Sequence, residues 1–252
     1  MNKFTKVVIL GGTGFIGAQL ATKLSPKSEK IIIPTRNIES NSGLKMIPNL
    51  EIARIDIKDE RSINLLFKDA DLVINTVGIL NELNEDNSFD KIHYQVTKKI
   101  SHSIKQNKVK RYLHISSLNA DPKSIGKYLK SKGKAEDFLL SETSSFCKIT
   151  IFRPSIVFGE SDSFFNKFAT LLKFLPVFPL ACPNAKFMPV YVEDLTDFMI
   201  SAINNMDTYG QKIDVTGPNE YTFRELIDQT LIALNTRRII IPLNNFLSRL
   251  QA

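Results

Sequence analysis

Cysteine and histidine are scarce in this chain of 252 residues, and the few that occur are not spaced like metal ligands. Cys147 and Cys182 are the only cysteines. Without a C-x-x-C pair they indicate neither a disulfide framework nor a zinc site. The three histidines, His93, His102 and His114, form no H-E-x-x-H or H-x-x-x-H pattern. We therefore expect two reduced thiols and no bound metal.

Long hydrophobic runs are also missing. No apolar run approaches the roughly 18 residues that a membrane-spanning helix needs. The first six residues, MNKFTK, lead into a short strand pattern and not into a cleavable signal sequence. Apolar residues make up 43% of the chain and charged residues 23%, which is typical of a soluble globular protein. These features predict a cytoplasmic protein, and peripheral association with the inner face of a membrane stays compatible with them.

The chain carries a formal net charge of +7, but its lysines are scattered along helical stretches. A nucleic-acid interface would combine basic and aromatic residues on one face, and no such pattern is present. We expect solvated helix faces and no nucleic-acid partner. The same charge would attract an anionic partner or membrane surface.

A glycine-rich segment follows the first apolar run of the chain. Its sequence is GGTGFIG, residues 11–17, and a helical pattern comes directly after it. A strand, a glycine turn and a helix N-terminus in this order form a binding site for a pyrophosphate. Gly11 permits the tight turn, Gly14 lets backbone N–H groups approach the phosphates, and Gly17 allows close helix packing. We predict that a dinucleotide contacts Gly11, Thr13, Gly14, Phe15, Ile16 and Gly17.

Apolar runs alternate with helical stretches over the first 150 or so residues. Alternation of this kind predicts an α/β fold, a doubly wound parallel sheet of the Rossmann type with helices on both faces. The carboxyl ends of the strands then share one edge, where the ligand binds. The predicted strands are 7–10, 31–34, 52–55, 72–77, 112–115 and 149–152, with helical segments at 62–67, 90–106 and 128–141.

The character of the sequence changes after the sixth predicted strand. A stretch rich in phenylalanine and proline follows, and then a helix, a strand and a last helix. We assign residues 1–160 to the Rossmann domain, with returning elements at 189–216. Residues 161–188 and 217–252 are assigned to a small substrate-facing cap.

The residues after the second predicted strand bear on which dinucleotide binds. An acid at this point binds the ribose 2′-hydroxyl, whereas a basic residue accommodates a 2′-phosphate. The strand is followed by Arg36 and Asn37, and the next acid is Glu39. Because arginine can hold a phosphate bidentately, we expect NADP(H) in preference to NAD(H). The alternative is an exposed arginine without a ligand.

The ends of the third and fourth strands supply further candidates. Asp56, followed by Ile57, ends the third strand, where its carboxylate could accept a hydrogen bond from the adenine amino group. It could equally be the N-cap of the next helix. Asn75, Val77 and Gly78 end the fourth strand, where a small residue lets the backbone run close to a cofactor. The glycine could instead serve a turn.

A serine, a tyrosine and a lysine follow the fifth strand. Tyr128 and Lys132 are four residues apart and share a helix face, so we expect the ammonium to lower the pKa of the phenol from about 10. Tyr128 would then exchange a proton with a substrate whose oxygen Ser117 binds, while Lys132 holds the nicotinamide ribose. The alternative is a chance Tyr-x-x-x-Lys on a helix that also carries Lys127, Lys130 and Lys134.

Taken together, these motifs and residues 153–159 (RPSIVFG) resemble the extended or atypical short-chain dehydrogenase/reductases, which are NAD-dependent epimerase/dehydratase-like proteins. Residues 114–121, 164–168 and 189–194 are similar to a branch that contains the NAD(P)H-binding accessory subunit of respiratory complex I and its bacterial relatives. The resemblance implies a Rossmann fold, bound NADP(H), and Pro154 and Ser155 beside the nicotinamide. Relatives usually continue beyond the position of Ala252, so the resemblance also implies a shortened cap.

Two functions are compatible with these features. The first is an NADP(H)-binding oxidoreductase or epimerase that uses Ser117, Tyr128 and Lys132 on a carbonyl or hydroxyl group. The second is a non-catalytic NADP(H)-binding accessory protein of a respiratory or quinone-related assembly, since the resembled branch includes such members. The phenylalanine-rich tract, residues 164–180, either packs as a helix over the crevice or lines a pocket for a quinone-like or isoprenoid ligand. It could also contact a membrane or a respiratory subunit.

Overall fold

A computed structural model describes residues 3–243, and the predicted cap residues 244–252 lie outside this range. The chain divides into two compact units. Unit 1 comprises residues 3–154 and 193–215, and unit 2 comprises residues 155–192 and 216–243. No helix among the described residues is both long enough and apolar enough to cross a bilayer.

Strands and helices alternate along the chain as the sequence predicts. The strands are β1 (Phe4–Leu10), β2 (Ser28–Thr35), β3 (Leu50–Arg54), β4 (Leu72–Asn75), β5 (Arg111–Ile115), β6 (Lys148–Pro154), β7 (Val157–Phe158), β8 (Val177–Leu180), β9 (Lys186–Phe187), β10 (Val190–Tyr191), β11 (Gln211–Val215), β12 (Tyr221–Thr222) and β13 (Ile239–Pro242). The helices are α1 (Phe15–Leu24), α2 (Glu60–Phe67), α3 (Val96–Asn107), α4 (Lys127–Phe138), α5 (Phe165–Phe174), α6 (Val192–Ser201) and α7 (Phe223–Ala233). A helical segment, Asp90–Gln95, leads directly into α3.

Unit 1 is built on a seven-stranded sheet with the order β11-β6-β5-β4-β1-β2-β3, and every neighbouring pair is parallel. The predicted doubly wound Rossmann sheet is therefore confirmed. The strand order reverses between β1 and β4, so the carboxyl ends of these strands form the crevice where ligands bind in such sheets. We call this side the carboxyl edge.

The central strands are largely buried and mostly apolar because helices cover both faces of the sheet. The last four residues of β1, 7–10, are fully buried. On one face, Val8, Val73 and Tyr112 pack with apolar residues of α2 and α3. A strand buried on both sides carries a continuous apolar run and no alternation, which is why these strands were recognisable in the sequence.

The N-cap residue of helix α2 excludes one of the two roles considered for Asp56. The N-cap of this helix is Asp59, whose side chain accepts hydrogen bonds from the backbone N–H groups of Arg61 and Ser62. Asp56 accepts instead from the N–H of Lys58 at 2.9 Å, in the turn before the helix. The N-cap interpretation of Asp56 is therefore wrong, because the helix begins one turn later than that role requires.

Unit 2 has its own small core. The phenylalanine-rich tract contributes Leu172, Phe178 and Leu180, which pack with Ile227 and Ile240. The two short strands β8 and β13 pair in parallel and present one apolar face to this core. Part of the tract is thus packed in the core of unit 2.

Candidate functional site

The glycine turn at the end of β1 has the backbone geometry of an anion-binding turn. Gly11 has a φ of +74°, which residues with a side chain rarely adopt. A Cβ at Gly11 would lie 2.7 Å from Oγ1 of Thr76, and a Cβ at Gly17 would collide with the carbonyl oxygen of Gly11. The turn is closed by the N–H of Gly14, which donates to the Gly11 carbonyl at 2.9 Å. The glycines therefore hold α1 tightly against the end of β1.

The first turn of α1 is open to an anion. Its N-cap is Gly14, so no side chain caps the backbone N–H groups, and the turn contains no acidic residue. Thr13, Phe15 and Ile16 are partly exposed here. Uncapped N–H groups at the positive end of a helix dipole bind phosphate. The predicted pyrophosphate contacts are therefore grouped around one helix N-terminus.

The predicted adenosine contacts lie at the ends of β2 and β3. Arg36 and Asn37 are exposed directly after β2, where Oγ1 of Thr35 accepts from the Asn37 N–H at 3.3 Å. Asp56 is also exposed, whereas Ile57 packs against the main core. An exposed guanidinium at the carboxyl edge is accessible to a phosphate.

The end of β4 is held by its own side chains. Asn75 is buried, and its Oδ1 accepts from the Val77 N–H at 3.0 Å while its amide nitrogen lies 3.3 Å from Nδ1 of His114. Asn75 therefore fixes the backbone of Val77 internally. Gly78 is exposed, and a Cβ there would lie 3.4 Å from Nζ of Lys132. The strand end and the lysine are thus adjacent in unit 1.

The Ser117 side chain acts to lower the pKa of Tyr128, while its hydroxyl donates to the carbonyl of Leu118 at 3.3 Å. The expectation that Lys132 lowers the pKa of Tyr128 is wrong. The Lys132 ammonium donates to the carbonyl of Ile115 at 3.1 Å. Burial raises the pKa of Tyr128, and the effect of Ser117 opposes this only in part. Spacing along a helix places two residues on one face, but it does not determine where a long lysine side chain ends.

Lys132 is a fully enclosed cation without a carboxylate of its own. Loss of solvent lowers its pKa to about 8, and the negative charge of Glu136 opposes this shift. The Glu136 oxygens are bound by Arg153, through its Nε at 2.9 Å and 3.1 Å, and by Nζ of Lys212 at 3.2 Å. Among the described residues the Lys132 ammonium therefore has no carboxylate partner, and its bond to the Ile115 carbonyl leaves its other N–H groups for a hydroxyl or anionic ligand.

Two buried histidines belong to this site, and the sequence pattern identifies neither as a site residue. His93 packs edge-to-face on Tyr128, with ring centroids 5.4 Å apart. Burial and then the charge of Lys132 lower its pKa to about 3. His114 lies on β5, its pKa is lowered by the same two effects and by His93, and its Nε2 has no partner among the described residues. An isolated histidine in an apolar pattern has no spacing signal, so only the fold reveals this cluster.

The two remaining predicted residues lie at the boundary between the units. Pro154 is buried at the end of β6, and its carbonyl accepts from the N–H of Leu118 at 2.9 Å. This bond ties the segment that carries Ser117 to the sheet. Ser155 is the first residue of unit 2 and is partly exposed.

The parallel sheet, the glycine turn and the uncapped α1 define a Rossmann protein. The model of the NAD dependent epimerase/dehydratase family matches residues 7–215, and the chain belongs to this family. The match covers all of the unit 1 strands described above, from the apolar end of β1 to the last residue of β11.

Among curated proteins, the chain is similar to subunits of respiratory NADH dehydrogenase. Subunit 9 of the NADH dehydrogenase (ubiquinone) 1 alpha subcomplex from Mus musculus is 32% identical over 241 residues, or 93% of this chain and 62% of the relative. The 40 kDa subunit of NADH-ubiquinone oxidoreductase from Neurospora crassa is 25% identical over 233 residues, or 91% and 60%. The chain thus spans less than two thirds of the length of either protein.

Solved structures of sugar-nucleotide epimerases share the fold. The UDP-N-acetylglucosamine 4-epimerase of Methanobrevibacter ruminantium superimposes with a TM-score of 0.81 at 20% identity, covering 97% of this chain and 86% of the other. The UDP-glucose 4-epimerase of Thermus thermophilus, solved with NAD, has a TM-score of 0.78 at 16% identity, covering 94% and 86%. At such identities the likeness shows the fold alone.

The buried Lys132 makes the stability of the cofactor-free protein depend on pH. Its folded pKa of about 8 lies below its unfolded value, so between these two values the unfolded chain binds more protons and stability rises with pH. We expect the free energy of unfolding of the wild type to gain about 1 to 3 kcal/mol relative to Lys132→Met between about pH 7 and about pH 10.

Urea unfolding of both proteins at several pH values measures this difference. Lys130→Met, which removes an exposed lysine from the same helix, is the control and should follow the wild type. Parallel profiles for the wild type and Lys132→Met would contradict the interpretation.

Proposed function

We propose that this protein binds NADP(H) along the carboxyl edge of unit 1 and transfers hydride and a proton at a carbonyl or hydroxyl group. The grouping of Ser117, Tyr128 and the buried Lys132 in unit 1 is the observation that carries the proposal. It lies after β5, in the unit whose glycine turn and uncapped α1 N-terminus suit a pyrophosphate. Membership of the NAD dependent epimerase/dehydratase family supports the same cofactor class.

The residues present suit a dinucleotide that extends from β3 to β5. The N–H groups at the start of α1 would bind the pyrophosphate, and Arg36 would bind a 2′-phosphate. The open backbone at Gly78 and the Lys132 ammonium suit the nicotinamide ribose. When bound, the cofactor supplies or accepts the hydride.

Tyr128 and Ser117 would perform the proton chemistry. Because burial raises the pKa of Tyr128 above its ordinary value, the phenol carries its proton near neutral pH. The protonated form donates to a carbonyl oxygen as that carbonyl is reduced. Ser117 would bind the same oxygen, and the nearby Lys132 ammonium would stabilise negative charge that develops there. A carbonyl or quinone is therefore the substrate class that this arrangement favours.

The cofactor preference rests on Arg36 and is tested by reversing its charge. We expect Arg36→Glu to weaken NADPH binding by about 10- to 100-fold, because only NADPH presents a 2′-phosphate, and to maintain or strengthen NADH binding, because an acid at this point binds the ribose 2′-hydroxyl. Arg61→Glu, an equal change at an exposed position on α2, is the control. Calorimetric titration with each nucleotide measures both affinities, and a wild-type preference for NADH would refute the role of Arg36.

Catalysis is tested at the phenol of Tyr128. We expect Tyr128→Phe to lower NADPH oxidation by carbonyl and quinone substrates at least about 100-fold, because the proton donor is lost. Its NADPH affinity should stay within about twofold of the wild type. Tyr209→Phe, which keeps its ring over Arg111 before β11, should leave turnover intact. Unchanged turnover in Tyr128→Phe would rule out this mechanism.

A second candidate function is that of a non-catalytic NADP(H)-binding accessory protein in a respiratory assembly. The names of the mouse and Neurospora relatives favour it, and so does an exposed apolar surface on unit 2. Val177 pairs with Ile239, and Pro179 with Ile241, so these four residues share the outer face of the β8–β13 pair. Ile239 is 64% exposed, and Phe174, shortly before β8, is 80% exposed. We call these five residues the β8–β13 face.

The charges around the β8–β13 face indicate what it would bind. Residues 163–192 and 229–243, which include the face, contain no Asp or Glu, whereas Lys173 and Arg237 are exposed cations within them. An apolar surface with exposed cations beside it is complementary to an apolar patch that carries acids. We assign it to an acidic subunit of a membrane-bound respiratory assembly, so that peripheral membrane association would come through that subunit.

Attachment through this face is tested by making it polar. We expect the double variant Phe174→Ser, Ile239→Ser to migrate as a free protein on native gels of solubilised membranes. The wild type should migrate with the band that has NADH dehydrogenase activity. Ile232→Ser, at an exposed apolar position on α7 outside the face, should behave as the wild type does. A wild type that migrates free, or that binds anionic lipid vesicles without the assembly, would contradict this assignment.

A further inference from the structure

We infer that His93 is a positioning residue, which holds Tyr128 at a set distance from the end of β4. The inference rests on the proposed role of Tyr128 in proton transfer. His93 is only 2% exposed and lies in the helical segment Asp90–Gln95, before α3. It makes separate contacts with the end of β4 and with the first turn of α4. No other step of the proposed chemistry uses this side chain.

The first contact is between aromatic rings. The His93 ring meets the Tyr128 ring edge-to-face, at a centroid distance of 5.4 Å and an interplanar angle of 87°. Phe89 stacks on His93 at 5.6 Å and meets Tyr128 edge-to-face at 5.6 Å. Each ring of this trio therefore touches the other two. Such pairs prefer this geometry, so the orientation of the phenol depends on the imidazole.

The second contact is a chain of hydrogen bonds that crosses the imidazole. Its Nε2 accepts from the backbone N–H of Ile79 at 3.1 Å, immediately after Gly78. Its Nδ1 lies 2.8 Å from Oγ of Ser131, and the Ser131 hydroxyl donates to the carbonyl of Tyr128 at 2.7 Å. Since the Ser131 proton is used on that carbonyl, Nδ1 must donate to Ser131. The bonds thus define one neutral tautomer, with the proton on Nδ1.

The electrostatic surroundings keep His93 in this neutral form. Burial lowers its pKa to about 3, and the charge of Lys132 acts in the same direction. A protonated Nε2 could no longer accept from the Ile79 N–H, so protonation would break the link to β4. Near neutral pH the link is therefore permanent, and His93 itself is not suited to exchange protons with a substrate.

His93 lies between the two segments whose separation matters for the proposed reaction. The backbone at Gly78 and Ile79 is the segment proposed to run beside the nicotinamide, and Tyr128 is the proposed proton donor. Hydride and proton must reach the same carbonyl group, so the distance between these two segments sets the reaction geometry. His93 connects both segments through one rigid ring. Loss of this connection should lower turnover more than it lowers cofactor binding.

Two substitutions each keep one half of the link. In His93→Asn the amide nitrogen can replace Nδ1 as donor to Ser131, but nothing accepts from Ile79. In His93→Gln the amide oxygen can replace Nε2 as acceptor, but the contact with Ser131 is lost. We expect both variants to lower kcat by about tenfold or more, with the Kd for NADPH within about threefold of the wild type. His102→Asn, at an exposed position on α3, should leave both quantities unchanged.

A second readout does not depend on turnover. The ionisation of Tyr128 in the cofactor-free protein is obtained from phenolate absorbance, as the difference between each protein and the same protein with Tyr128→Phe. We expect the pKa of Tyr128 to fall toward about 10 in His93→Asn, because a smaller side chain admits water beside the phenol. Thermal unfolding and circular dichroism identify any variant that does not fold, and the remaining variant then carries the test.

The outcomes separate this inference from the proposed function. If Tyr128→Phe keeps its turnover, the proposed function fails, and the titration of Tyr128 still decides whether His93 controls its surroundings. If Tyr128→Phe is inactive but both folded His93 variants retain wild-type kcat and the wild-type pKa of Tyr128, the role of His93 is overturned.

Discussion

A parallel sheet must be covered on both faces, and the arrangement of unit 1 depends on this constraint. Strands that run the same way need crossover helices, so all carboxyl ends meet at one edge. Residues far apart in sequence, such as Gly11, Asn75 and Ser117, follow the ends of β1, β4 and β5. The burial that stabilises the sheet thus also gathers polar groups at a single edge, where α1 begins and offers free N–H groups.

The same burial makes the site rich in donors and poor in acceptors. Lys132 is enclosed by protein, and the nearest carboxylate, Glu136, is already occupied by Arg153 and Lys212. The unpartnered Nε2 of His114 and Oγ of Ser116 are buried in the same unit. Buried donors without acceptors cost free energy. A ligand with hydroxyl or phosphate oxygens would recover part of that cost, so these buried donors would strengthen binding to a dinucleotide.

Features that depend on neighbouring residues could be predicted from the sequence, whereas features that depend on three-dimensional packing could not. The glycine turn was predictable because its requirements, a positive φ at Gly11 and no side chain at Gly17, concern adjacent backbone. The strands were predictable because burial on two faces makes them mostly apolar. The N-cap of α2 could not be assigned from the sequence, since Asp56 and Asp59 have equal capping propensity and only the structure shows that Asp59 is the N-cap. The environment of Tyr128 could not be inferred, because it depends on where the Lys132 side chain ends and on His93, which comes from a distant segment.

The phenylalanine-rich tract shows why its sequence supported two interpretations at once. Along β8, the side chains of Phe178 and Leu180 point into the core of unit 2, whereas Val177 and Pro179 lie on the opposite face. Apolar residues therefore occupy both faces, although only one face is buried in this chain. A strand of a lone soluble protein would carry polar residues on the outer face.

The outer face belongs to unit 2 and the Ser117–Tyr128 pair to unit 1, so a substitution on either leaves the other intact. Attachment to a partner and turnover are for this reason separable properties, and a protein of this design could keep the first while losing the second.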